Sequence, residues 1–272
     1  MFILLKILAK YVFTFEDKLH KVIFHNLILK MTTKNIKEII NKTNFYHSLE
    51  INDYKIKGFY NWEPYIDLIT NLIDFNKKKV LDVGPGDGYF SHKFSSLGSK
   101  VEAVDIPSQE ERDNYKFGKK NKLIHSTGGG KRKLNFNFHI FNKIHKNNIK
   151  LHNLNVYELE KLKKTYDLVF CNDLLLHLTD PIKAINQMTL VSKDYLLIGN
   201  PILNRTFFNK NKSQVDYLGH LKNNAYYIFN ENAFINLINS FNLKIIKKII
   251  VYPKKEHFYS TRPRMFILAK KY

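Results

Sequence analysis

The sequence predicts an α/β fold built on a mostly parallel sheet, with an antiparallel hairpin at one edge and a helical extension at the N-terminus. Three observations carry this. From position 78 onward, short apolar runs recur at 80–83, 101–104, 149–154, 168–170 and 195–198. The segments between them are long enough for crossover helices, the arrangement that makes neighbouring strands parallel. Two late runs, 243–251 and 265–268, flank the turn-rich Tyr252-Pro253-Lys254-Lys255 and are near enough to pair antiparallel. Residues 1–43 hold no Gly or Pro, and their apolar positions recur at helical spacing.

With 272 residues, 44% of them hydrophobic, the chain suits one domain with decorations better than two. The expected division is a helical extension over 1–43 and a single domain over 44–272. Within the extension, the apolar segment 1–13 is interrupted by Lys6 and Lys10 and is shorter than the ~20 residues of a spanning helix. No small-residue cleavage site follows it, so neither stable membrane insertion nor a signal peptide is expected. Lys6, Lys10, Lys18 and Lys21 fall near one helical face. That helix either packs on the domain or makes a peripheral contact with a membrane surface or RNA.

Lys and Arg outnumber Asp and Glu by 44 to 24, a net charge of +20. Such a surface attracts polyanions, although a coding bias toward Lys, Asn and Ile would raise the same count without any partner. The densest stretch is 116–133, with seven basic residues, no acidic one, and Gly128-Gly129-Gly130 near its end. Three consecutive glycines disfavour helix and strand alike, so a loop is expected there, able to grip RNA phosphates or to stand free in solvent. The single cysteine, Cys171, excludes an internal disulfide and a thiolate metal cluster. No metal site is expected, and a reducing cytoplasm fits.

The chemistry concentrates in Asp82-Val83-Gly84-Pro85-Gly86-Asp87-Gly88, which follows an apparent strand and opens a helix. Alternate glycines let the backbone turn sharply and leave no side chain between main chain and ligand. A dinucleotide fingerprint would place its third glycine at 89, where this chain has Tyr89; the third glycine stands at 88. Asp105 closes the next apparent strand, 21 residues after Gly84, where a carboxylate can accept both ribose hydroxyls. Downstream, Asn172 and Asp173 end the fourth strand, where open α/β sheets bind ligands.

The Gly-x-Gly-x-Gly spacing after Asp82 resembles the first motif of class I methyltransferases. That resemblance implies a Rossmann-like, seven-stranded sheet and S-adenosyl-L-methionine as cofactor. It also implies that Asp82, Gly84, Gly86, Gly88, Asp105, Asn155 and Asn172 lie against the cofactor, Asn155 beside the adenine. An ordinary helix cap is the competing role for Asn155. A narrower likeness lies in Phe45-Tyr46-His47-Ser48-Leu49, Gly58, Trp62, Leu175-Leu176-His177-Leu178-Thr179-Asp180-Pro181, Tyr226-Tyr227-Ile228-Phe229 and Arg264 to Lys270. Together these are similar to the family of tRNA wobble-uridine carboxymethyltransferases and its relatives, over roughly residues 45–270. In that family a Lys before the tryptophan, a Tyr before the His and a C-terminal Arg hold an extra carboxylate on the cofactor. Here the positions are Asn61, Leu176 and Arg264. Plain S-adenosyl-L-methionine is therefore expected, because an unpaired carboxylate in a closed cleft costs desolvation energy.

The expected activity is methyl transfer to an oxygen or nitrogen acceptor, a small molecule or saccharide. The alternatives are tRNA modification and a non-catalytic binding protein of the same fold; Tyr89 disfavours an NAD-dependent oxidoreductase. Transfer needs the acceptor about 3 Å from the methyl group and water excluded. A base is needed only where the acceptor must lose a proton. His177 is the first candidate and His47 the second, set against structural roles for both. Trp62, Asp173 and Arg264 are the candidate substrate contacts, Trp62 as a stacking platform.

Overall fold

The computed structural model describes residues 33–106, 135–203, 212–219 and 225–272. The basic loop 116–133 and most of the expected N-terminal helix lie outside the described residues. The chain divides into two compact units, Met1–Thr43 and Asn44–Tyr272. In the first, α1 spans Thr33–Asn41. Among the described residues, no helix is long and apolar enough to cross a membrane.

The second unit opens with four three-residue strands: β1 Phe45–His47, β2 Leu49–Ile51, β3 Tyr54–Ile56 and β4 Gly58–Tyr60. β2 and β3 form an antiparallel hairpin, and β1 pairs parallel with β4. Asn52 makes the hairpin turn at φ 50°, a left-handed conformation that Asn tolerates better than most residues. The sequence reading did not include these strands, since three residues hold too little alternation to register as a period. A short helix, α2, follows at Ile66–Thr70.

The core sheet has seven strands in the order β12-β13-β9-β8-β5-β6-β7. They are β5 Lys79–Val83, β6 Lys100–Asp105, β7 Lys150–Asn153, β8 Tyr166–Asn172, β9 Ser192–Pro201, β12 Leu243–Val251 and β13 Arg264–Lys271. β5 to β9 are parallel, and β13 runs antiparallel to both β9 and β12. A small separate pair, β10 Val215–Tyr217 with β11 Tyr227–Phe229, lies outside the sheet. The crossover helices are α3 Tyr89–Ser96, α4 Phe136–His145 and α5 Pro181–Val191, and α6 Glu231–Asn239 precedes β12.

Local chemistry explains the element starts. Asp180 accepts the Lys183 amide at 2.8 Å with Pro181 in the first turn of α5, and Asn230 likewise accepts the Ala233 amide at 2.8 Å to cap α6. The middles of the central strands β8 and β9, residues 168–171 and 195–198, are continuous apolar runs, as expected where helices cover both faces of a parallel sheet. Cys171 sits inside β8, where burial pushes its thiol well above the usual range, so it is inert. At the open edge, β12 carries Lys244, Lys247 and Lys248, charges that discourage pairing with another strand. Chain order reverses between β5 and β8, and a crevice is expected beyond their carboxyl ends.

Candidate active site

Three glycines shape the turn between β5 and α3, all left-handed: Gly84 at φ 73°, Gly86 at 57° and Gly88 at 89°. Each has its own reason to lack a side chain. A Cβ on Gly84 would stand 3.1 Å from the Leu174 side chain, and one on Gly88 would stand 2.7 Å from Phe138 Cδ2 on α4. At Gly86 the nearest atoms are His47 Cε1 at 3.7 Å and Tyr46 Cδ1 at 4.0 Å, so its constraint is conformational.

Two carboxylates brace the turn from behind. Asp82, buried at the end of β5, accepts the Ser91 hydroxyl of α3 at 2.6 Å. Burial raises it to about 7, with the nearby Asp105 charge adding to the effect and the Ser91 hydrogen bonds opposing it. Asp87 accepts the backbone amides of Tyr46 and His47 on one oxygen and Asn137 Nδ2 on the other. Burial raises it to about 6 against those hydrogen bonds. Asp105, half-buried at the end of β6, accepts the following Ile106 amide at 2.8 Å.

The carboxyl end of β8 holds a second cluster. Asp173 adopts φ 51°, an unfavourable conformation for a residue with a Cβ. It is 8% exposed, and its Oδ2 accepts Arg264 Nε at 3.1 Å. Arg264 is 1% exposed and also donates through Nη1 to the carbonyls of Ser260, at 2.9 Å, and Arg262, at 2.8 Å. Its guanidinium lies 4.8 Å from the ring centre of Phe258, 5.2 Å from Tyr60 and 6.0 Å from Trp62. The Tyr46 and Tyr60 hydroxyls hydrogen-bond one another. Burial, with Asp173 nearby, holds both phenols above their ordinary range, so they stay protonated.

The structure brings Asp82, Gly84, Gly86, Gly88 and Asp105 to one end of the sheet, with Asn172 and Asp173 at the same end of the neighbouring strand β8. The buried Oδ1 atoms of Asn172 and Asp173 have no hydrogen-bond partner among the described residues. Asn155 takes the Tyr157 amide at 3.0 Å and caps the 3-10 helix Val156–Leu162, the turn role that competed with the adenine contact. His177 is half-buried on the 3-10 turn Leu175–His177, four residues beyond Asp173.

Two expectations need correction. Trp62 is 1% exposed and enclosed by Phe90, Phe258 and Phe266 in edge-to-face contact and by Arg264, which leaves no surface for a ligand to stack on. His47 is also buried, which lowers it to about 3; its proton affinity is too low for a general base near neutrality. Sequence reasoning quoted Asp87 and Tyr46 only within motifs and read Tyr60, with Trp62 and Tyr65, as a possible stacking aromatic, so the bracing role of Asp87 and the paired phenols went unread. An acid set between two glycines was the visible signal for Asp87, since it serves neither the turn nor the helix. Nothing local marked the pairing of the two phenols, or their neighbours Asp173, just beyond β8, and Arg264 on β13.

Comparison with known proteins agrees with this architecture. A protein-family model described as a methyltransferase domain matches residues 56–248. The tRNA U34 carboxymethyltransferase of Campylobacter hominis is 26% identical over 129 residues, 47% of this chain and 37% of that protein. The chain therefore matches well under two thirds of that relative's length. Among solved structures, the fold is similar to that of a Burkholderia thailandensis 1,6-didemethyltoxoflavin-N1-methyltransferase with bound S-adenosylhomocysteine: 15% identity, TM-score 0.53, 77% of each chain. It is also similar to the magnesium protoporphyrin IX methyltransferase of Synechocystis with bound SAH: 14% identity, TM-score 0.50, 77% of this chain and 82% of that one. At such identities the likeness is one of fold.

Proposed function

The chain belongs to the methyltransferase-domain family, and on that premise we propose that it transfers a methyl group from S-adenosyl-L-methionine to an oxygen or nitrogen acceptor. One observation carries the reading: three left-handed glycines end β5, with the neighbouring carboxylates Asp82 and Asp105 beside them. This set fits a nucleoside that also bears cationic groups. The glycines leave backbone exposed to it, Asp105 is the acceptor for ribose hydroxyls, and Asp82 stiffens the turn through Ser91. The unpartnered buried oxygens of Asn172 and Asp173 likewise suit a ligand with hydrogen-bond donors. When bound, the donor supplies a methyl group activated by the positive charge on its sulfur.

The chain's own residues then orient the acceptor and exclude water. The Asp173–Arg264 pair is close to neutral as a unit, and the two phenols beside it remain protonated. That environment suits a neutral acceptor better than an anion, which would find no unpaired cation beside that pair among the described residues. His177, on the turn after β8, is the base candidate by position. Calorimetry with S-adenosylhomocysteine tests the reading. The wild type should bind, and Gly86→Val, which forces a branched side chain into φ 57°, should abolish binding, as should Asp105→Ala. A wild type that does not bind would refute it.

A tRNA acceptor is the second reading, supported by the net charge of +20 and the tRNA-modifying relative. Affinity for tRNA should then fall roughly tenfold or more between about 50 and 200 mM salt, and fall again when Lys131, Arg132 and Lys133 are changed to Ala. Binding indifferent to both changes would remove it.

A further inference from the structure

We propose that strand β1 is a wall of the donor site, fixed there by Asp87, and that the buried Nδ1 of His47 hydrogen-bonds the sulfonium nucleoside held at the glycine turn; this rests on the donor reading above. The argument begins with backbone direction. Gly86 and Gly88 are both left-handed, and Asp87 between them meets the β1 amides of Tyr46 and His47 and the side chain of Asn137 on α4. Three donors on one buried carboxylate tie the turn, β1 and α4 together, so the turn cannot change shape without moving β1. The tie also sets what covers the turn. The space where Gly86 would carry a Cβ faces His47 Cε1 and Tyr46 Cδ1, and both atoms are within ordinary contact distance of it. The His47 ring edge thus covers the Cβ side of Gly86, and a ligand held beside the turn is its neighbour.

The His47 ring is prepared for such a contact. It is 4% exposed, packed among Tyr46, Tyr89 and Phe90, and its Nδ1 has no partner among the described residues. A buried ring nitrogen left unpaired costs free energy that a polar ligand would recover. Burial alone accounts for its lowered proton affinity, and the ring offers a neutral nitrogen. His47 therefore acts as a binding residue.

The test titrates S-adenosylhomocysteine into the full chain, following heat, the nitrogen NMR signals of labelled histidine and amide hydrogen exchange. The His47 Nδ1 signal should move on saturation, and exchange at the Tyr46 and His47 amides should slow. His47→Phe, which keeps the ring and removes the nitrogens, should bind about tenfold more weakly, equivalent to about 1.4 kcal/mol. In Asp87→Ala the ligand-induced slowing at positions 46 and 47 should vanish. Wild-type binding with an unmoved His47 signal, or unchanged affinity in His47→Phe, would overturn the proposal. If His47→Phe does not fold, the wild-type signal decides alone. A wild type that binds nothing overturns the donor reading itself, and this proposal with it.

Discussion

Arg264 shows how one residue can organise a site from inside the protein. A guanidinium this deeply buried would be untenable alone; here a carboxylate, two carbonyls and three aromatic rings replace its water. Removing it strands Asp173, whose Oδ1 already lacks a partner among the described residues. Arg264→Leu should therefore cost about 3–5 kcal/mol, seen as a fall in Tm of roughly 10 °C. Asp173→Asn tolerates the left-handed backbone and removes only charge, so it separates the ion pair from the turn geometry. An unchanged Tm in Arg264→Leu would mean that the pair does not hold this end of the sheet. At the same scale, His47 stays neutral from about pH 5 to 8, and a rate profile over that range should be the same in shape for His47→Gln as for the wild type.

Among the elements, α3 and α4 are joined at Gly88. The glycine's left-handed φ starts α3 while its bare Cα lets Phe138 of α4 come close. Gly88→Ala would meet both constraints at once, backbone strain and a contact at 2.7 Å that either Phe138 or the turn must relieve. The expected loss is about 2 kcal/mol or more, measured by chemical denaturation. A loss below about 0.5 kcal/mol would show that Phe138 swings aside freely. Farther along the same helices, His92 and His145 stack with ring centres 4.2 Å apart, and neither ring nitrogen of His92 has a partner among the described residues. The pair is held as two neutral rings.

Over the whole molecule, two sets of buried groups respond oppositely to acid. Burial raises Asp82 to about 7 and Asp87 to about 6, and it lowers His92 to about 3 and His145 to about 4. A carboxyl raised by folding binds its proton more tightly in the folded state, so the two aspartates add stability as pH falls from about 7 toward 4 and lose it as pH rises. A histidine lowered by folding does the reverse: its contribution is complete above 6.5 and is lost as pH falls toward 4. The double variant His92→Phe with His145→Phe removes much of the second set. Its Tm should improve by several degrees relative to the wild type on going from about pH 7.5 to about pH 5. A parallel pH dependence of Tm in the two proteins would contradict the opposition.

The sequence by itself determined the parallel sheet, the edge hairpin and the glycine turn. Each is written in contiguous residues: apolar runs at 80–83 and 168–170, the late pair 243–251 and 265–268, and glycines whose spacing sets the local backbone. Only the tertiary structure decided what surrounds that turn. Trp62 reads as a stacking aromatic until Arg264 and Phe258, about 200 positions away, enclose it, and His47 reads as a base until burial weakens its hold on a proton. Asp87, Tyr46 and Tyr60 acquire their roles from partners on β1 and α4, just beyond β8 and on β13. A side chain's chemistry is local, but its solvent, its partners and hence its proton affinity come from residues distant in sequence.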